Sequence, residues 1–140
     1  MTDSCVALLE KYTDIFDGLD IDLEYPCPPG KICGPDITPS DNDAQYFLSL
    51  IQSFRQKMNK DKLLTLATTP NPSVLPGLSL LELNPLVDWY NIMTYDYTSG
   101  SFGDNMTGHH SKTMDSPDPL NNRAGFSAEH AVNMYVQKGA

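Results

Sequence analysis

Four carboxylates fall within eight positions of this chain: Asp17, Asp20, Asp22 and Glu24, threaded by Gly18, Leu19, Ile21 and Leu23. In an extended strand successive side chains take opposite faces, so Leu19, Ile21 and Leu23 share one side and Asp20, Asp22 and Glu24 the other. A row of this kind faces either water, as on a solvated edge strand, or a cavity, where unpaired carboxylates are costly and are kept for use. Two chemistries suit it: proton transfer to a polar bond, or cation coordination. Calcium loops of the EF-hand kind set polar residues or Gly between their ligands and bend the chain, whereas Leu19, Ile21 and Leu23 enforce extension. Proton chemistry is therefore expected here, and no metal.

A second group capable of chemistry is Asn91-Ile92-Met93-Thr94-Tyr95-Asp96-Tyr97, which ends a hydrophobic run on a phenol and a carboxylate. Trp89 and Tyr97 read as core or loop packing. His109 and His110 stand in a Gly-rich polar stretch without a third ligand at metal spacing, and read as exposed loop histidines. Cys5, Cys27 and Cys33 are the cysteines. Cys27 and Cys33 bracket a short loop and close a small disulfide in an oxidising compartment; in a reducing one all three stay free thiols. Asn105-Met106-Thr107 fits the N-glycosylation acceptor pattern, which matters only if the protein is secreted.

The elements that position these groups follow from periodicity and punctuation. Residues 5–12 read as the end of an amphipathic helix leading into the acidic strand at 17–24, which Pro26 stops. Residues 27–40 read as a Pro- and Gly-rich surface loop. A helix is expected over 41–59, capped by Ser40 or Asp41, with Phe47, Leu50, Ile51, Phe54 and Met58 on one face. Residues 62–68 suit a buried strand, 70–76 a loop, 78–83 a short helix and 88–95 a third strand. The stretch 98–125 has no periodicity and reads as a long loop. Ser127 caps a last helix, with Ala128, Ala131, Val132, Tyr135 and Val136 facing inward and Gly139 ending it. Strands alternating with helices predict a parallel sheet of βα units.

Composition narrows the partners. Nine basic against 18 acidic residues give a net charge of −9, with a pI near 4.5. That balance argues against nucleic acid and anionic membranes, both of which reward basic surfaces. No apolar run approaches the ~20 residues needed to span a bilayer, and no signal peptide is visible at the start. A hydrophobic content of 40% is adequate for a core.

Asp17-Gly18-Leu19-Asp20-Ile21-Asp22-Leu23-Glu24 resembles the DxxDxDxE signature of glycoside hydrolase family 18, the chitinases and their relatives. Met93-Thr94-Tyr95-Asp96 looks like the family's Met-x-Tyr-Asp segment, in the expected order and separation. Leu23 departs from the pattern, since many members carry Trp there. The family fold is an eight-stranded βα barrel with the acidic motif on the fourth strand and Met-x-Tyr-Asp on the sixth. A complete barrel takes ~250 residues. The resemblance thus implies an α/β chain forming a partial (β/α)8 TIM barrel, with residues 1–140 a fragment covering roughly the fourth to sixth βα units.

The same resemblance implies roles. Glu24 is the general acid, at the carboxyl end of its strand where barrel sites open. Asp22 orients the substrate's N-acetyl group, which replaces a protein nucleophile in this family. Asp20 shares a proton with Asp22, so that Glu24 keeps its own until needed. Tyr95 donates its hydroxyl to the acetamido oxygen. Asp96 and Met93 contact the sugar, with Tyr25 and Ala67 near the same pocket, while Asp17 and Gly18 hold structure. The implied activity is chitinase-like cleavage of β-1,4 bonds between N-acetylglucosamine units, on chitin or its oligosaccharides and with no cofactor. The alternatives are an endo-β-N-acetylglucosaminidase acting on N-glycan cores, and a lectin-like member that binds without cleaving. Extracellular location is implied by the resemblance alone.

Overall fold

The computed structural model describes residues 1–31, 40–98, 107–115 and 125–140. Its elements run α1 (Thr2–Lys11), β1 (Gly18–Ile21), α2 (Asp43–Lys57), β2 (Leu63–Thr68), a 3-10 turn (Leu75–Gly77), α3 (Leu80–Leu83), β3 (Trp89–Ile92) and α4 (Ala128–Gln137). The strands form one parallel sheet in the order β1-β2-β3. Cys33 and Asn105 lie outside the described residues.

Alternation along the strands sorts the side chains. Leu64 and Leu66 of β2 are fully buried, and they join Phe47, Ile51 and Phe54 of α2 and Met58 just past its end in one core with Leu80 and Leu83 of α3 and Tyr135 of α4. Leu19 and Ile21 of β1, and Tyr90 and Ile92 of β3, pack against this core from the edge strands. The alternate residues therefore share the other face, and the register aligns Asp20 with Thr65 and Thr65 with Trp89, then Ala67 with Asn91. The helix-facing side carries the stability; the opposite side carries the polar groups.

Two contacts hold the amino ends of the strands. A Cβ on Gly18 would lie 2.1 Å from the carbonyl oxygen of Leu63, so β1 approaches β2 at a distance that only glycine permits. Arg55 of α2 donates Nε to the Leu86 carbonyl at 2.6 Å, Nη1 to the Lys62 carbonyl at 3.1 Å and Nη2 to Asp88 Oδ2 at 2.7 Å. Asp88 Oδ2 also accepts the Leu64 amide at 2.7 Å. That hydrogen bond, followed by the one from Arg55, holds the Asp88 carboxyl below the usual carboxylate range.

Several expectations need correction. The acidic segment pairs only as far as Ile21, so Asp22, Leu23 and Glu24 continue beyond the ladder, and Leu23 is exposed. β3 is likewise shorter than 88–95, because the chain turns at Met93. Helix α2 starts after Asn42; neither Ser40 nor Asp41 caps it, and the Asp43 carboxylate instead accepts the Ser40 amide. A 3-10 turn occupies part of the 70–76 loop. In α4, Ser127 does cap, accepting the His130 amide at 3.3 Å. The helix buries Ala131, Met134 and Tyr135, while Val132 and Val136 are exposed along an open groove beside β3. The core stripe is thus rotated toward Met134, which fits the narrow contact that one end of a three-stranded sheet offers.

Candidate active site

Parallel strands deliver their carboxyl ends to one edge, and the segments leaving β1, β2 and β3 meet there. They wall a cleft of 420 Å³ lined by Glu24 and Tyr25 after β1, Thr69 after β2, and Met93, Tyr95 and Asp96 after β3. Glu24 of the acidic motif, Tyr25 next to it and three residues of the Met-x-Tyr-Asp segment therefore converge in one space.

Glu24 is exposed at the mouth of the cleft. Its neighbour Tyr25 is half-buried, and the peptide between them is cis. Burial first, then a hydrogen bond to the Glu24 carboxylate, pushes the Tyr25 phenol well above its ordinary pKa, against a smaller opposing effect of the Thr69 hydroxyl. Thr69 Oγ1 accepts the Asn71 amide at 3.0 Å, which holds its side chain beside Tyr25 in the cleft wall. Tyr25 therefore stays a neutral donor to Glu24.

Asp20 sits one pleat deeper. Its Oδ1 accepts the Thr65 hydroxyl at 2.6 Å and the Asn91 side-chain amide at 3.1 Å, so all three strands contribute to its placement. Trp89 Nε1 donates to Asn91 Oδ1 at 3.0 Å, which orients the amide with its NH2 toward Asp20. Asp22 is exposed just past the ladder. Among the described residues, the cleft walls do not include Asp20, Asp22 or Ala67; Ala67 is half-buried opposite Asn91.

After β3 the chain turns tightly: the Thr94 amide donates to the Ile92 carbonyl and the Tyr95 amide to the Met93 carbonyl, both at 2.8 Å. Asp96 then adopts φ 59°, a left-handed conformation that Asp tolerates better than most residues. This turn presents Met93, Tyr95 and Asp96 to the cleft. Tyr97 is buried beneath them, with its phenol raised by burial first and by the Asp115 charge second. It packs edge-on to Phe126, in line with the packing role expected for it.

Asp17 is exposed at the far end of β1, where its carbonyl accepts the Leu63 amide at 2.9 Å. Cys27 is buried and disulfide-bonded, and Cys5 is free. Thr65 and Thr69 escaped the sequence reading, and Asn91 and His110, though named there, were given no part in the site. Thr65 shares the period-2 face with Ala67, which is the one signal that points to it. His110 is exposed as expected, yet it stacks on Tyr95 and approaches Asp96.

Comparison with known proteins agrees with this geometry. The model of glycosyl hydrolases family 18 matches residues 1–140. Chitinase 63 of Streptomyces plicatus is 31% identical over 97% of this chain, which spans 22% of that protein. The solved structure of chitinase ChiA74 from Bacillus thuringiensis superposes with a TM-score of 0.82 at 32% identity, over 99% of this chain and 22% of the other. Catalytic domain 2 of the Ostrinia furnacalis group II chitinase, solved as a mutant in complex with penta-N-acetylchitooctaose, gives 0.77 at 32% identity over 99% of this chain and 34% of that one. The chain thus spans between about a fifth and a third of these relatives, and its three parallel strands correspond to part of their barrel. With the acidic strand, the Met-x-Tyr-Asp turn and the family model all in agreement, the chain belongs to glycoside hydrolase family 18.

Proposed function

We propose that the protein containing this chain hydrolyses β-1,4 bonds between N-acetylglucosamine units of chitin or its oligosaccharides, by substrate-assisted retaining catalysis. The observation that carries this reading is the shared cleft of Glu24, Tyr95 and Asp96. Glu24 gives its proton to the glycosidic oxygen as that oxygen leaves with the bonding pair. The substrate's own acetamido oxygen attacks the anomeric carbon and closes an oxazolinium ring. Asp22 orients the acetamido N–H, and Tyr95 donates its hydroxyl to the acetamido oxygen, which is positioning catalysis. The Glu24 carboxylate then takes a proton from water, which opens the ring with net retention.

Tyr25 and Met93 line the sugar-facing wall, and Asp96 bonds the sugar beside the cleaved linkage. Asp20 sets the charge beneath Asp22 from its Thr65 and Asn91 anchors. Three strands leave part of the pocket to other barrel strands, so these 140 residues alone bind the sugar weakly and turn it over slowly or not at all. The chitinases among the relatives support chitin as substrate, and membership of the family supports an extracellular location.

The decisive experiment is Glu24→Gln in the barrel-complete enzyme, assayed on a chromogenic chitobiose substrate. Hydrolysis is expected to fall at least ~10²-fold with sugar binding retained; near-full turnover would remove Glu24 from its role. Full turnover by the purified, monomeric 140-residue chain would refute the weak activity assigned to it.

A further inference from the structure

Residues 107–115 lie beside the Met-x-Tyr-Asp turn, tied to it on one side and to α4 on the other. At one end the Tyr97 amide donates to the His110 carbonyl at 2.9 Å, and the Ser111 hydroxyl donates to the Thr94 carbonyl. At the other, the Lys112 and Thr113 carbonyls accept the Ala128 and Glu129 amides of α4 at 3.0 and 2.9 Å, while the Asp115 carboxylate accepts the Gly125 amide at 2.9 Å. The first two amides of α4, which a helix cannot satisfy internally, are thus consumed in anchoring this segment.

From the tie to the turn, the His110 side chain reaches two cleft residues at once. Its ring stacks on Tyr95 with centroids 6.1 Å apart and planes 11° from parallel. Its Nδ1 lies 3.5 Å from Asp96 Oδ1. His110 is not itself a wall of the cleft, so it acts through the two residues it touches. Both need support. Tyr95 is half-exposed on a turn with few core contacts, and Asp96 sits in the left-handed region.

We infer that His110 is a positioning residue: it holds the Tyr95 phenol and the Asp96 carboxylate in the orientation in which they receive the N-acetyl sugar, backed by the 107–115 segment and α4. This rests on the functional reading above and adds to it a residue outside the two motifs. A flat ring stacked on Tyr95 limits its rotation about χ1 and χ2, and the imidazole nitrogen 3.5 Å from Asp96 Oδ1 restricts that carboxylate. The sugar then meets two groups already oriented, and less freedom is lost on binding.

The test uses NMR spectra of the barrel-complete enzyme carrying Glu24→Gln to prevent cleavage, with His110 intact or replaced as His110→Ala or His110→Phe, free and titrated with tri-N-acetylchitotriose. In the free protein His110→Ala is expected to move and broaden the Tyr95 ring and Asp96 amide signals while leaving those of Ile51 and Leu64 in place. His110→Phe, which keeps the stacking face without the nitrogen, is expected to restore Tyr95 but not Asp96. Trisaccharide affinity is expected to drop about three- to tenfold in His110→Ala and to recover in part in His110→Phe. Unchanged Tyr95 and Asp96 signals in His110→Ala, displacement of Ile51 and Leu64 along with them, or equal affinity of the three proteins would each overturn the inference. Tyr95 signals that ignore millimolar trisaccharide in the barrel-complete enzyme with His110 intact would overturn the functional reading itself, a failure visible without any His110 variant.

Discussion

The Asp20 carboxylate is bonded across the sheet to the hydroxyl of Thr65, its register partner on β2, at 2.6 Å. A charged acceptor and a neutral donor on paired strands make one of the stronger kinds of protein hydrogen bond, and the Asn91 amide of β3 completes the set.

This pair should be energetically coupled. In a double-mutant cycle of Thr65→Val and Asp20→Asn, read by urea unfolding, the coupling is expected to be about 1 kcal/mol, since water can partly replace a partner at an exposed carboxylate. Strict additivity would mean that the bond has no net worth. In a barrel-complete enzyme, Thr65→Val should lower kcat more than it raises KM, because Asp20 touches no cleft wall.

Gly18→Ala should be poorly tolerated. The added Cβ meets the backbone of Leu63 rather than a movable side chain, so β1 must separate from β2 at the end of their ladder. The expected loss is on the order of 2–4 kcal/mol, as for other overpacked sites. Thermal unfolding checks it, and a drop of only a degree or two would show that the strand can shift at little cost.

Removing Arg55 should loosen the amino ends of β2 and β3 together. Arg55→Met leaves the Leu86 and Lys62 carbonyls and Asp88 without their donor, at an expected loss of about 2–4 kcal/mol. Arg55→Lys should recover only a fraction, lacking the fork. Asp88 adds an acid limb. Its folded pKa is depressed, so as pH falls below ~4 the unfolded chain binds the proton first and stability declines. Asp88→Asn should flatten that limb in urea titrations from pH 5 to pH 2; an unchanged slope would contradict the assignment.

Alkali should weaken the fold through its buried phenols. Burial pushes Tyr135 up to about 12, and its hydroxyl donates to the Thr69 carbonyl at 2.9 Å. The unfolded phenol titrates near ~10, so between the two values the unfolded state has lost a proton that the folded state keeps, and stability falls as pH rises. The contribution is on the order of 2 kcal/mol. Tyr90 is raised to about 12 for the same reason, so Tyr135→Phe should reduce the alkaline slope without abolishing it. A slope identical to wild type would locate the effect elsewhere.

How far the sequence discloses this molecule depends on the kind of contact. Strand alternation places Leu19 and Ile21 against the helices and Asp20 on the other face, because that pattern is local and has a period of two. The position at which β1 stops pairing is not local. It follows from how far β2 runs beside it, so Asp22 and Glu24 could be read as strand although they lie past the ladder. The tilt of α4 depends on which side of β3 is free, which exchanged Val132 and Val136 for Met134 in the core. Of the candidate site, Glu24, Tyr95 and Asp96 were legible because the two motifs carry them, and Tyr25 because it follows the first. Asn91, although quoted within the second motif, shows its bond to Asp20 only once β2 lies between them. His110 stands in a stretch without periodicity and meets Tyr95 solely through the path of the chain.

The register also has a consequence for how the chain reaches its structure. Asp20 and Thr65 are 45 residues apart, whereas Leu64 and Asp88 are 24 apart, and neither parallel pair can zip up from a turn. Closing the longer span costs about 0.6 kcal/mol more chain entropy, so β2 and β3 are the pair expected to associate first, with β1 added to a preformed edge. The acidic strand is then the late arrival. Its carboxylates meet one another's field only after Thr65 and Asn91 are in place to receive Asp20.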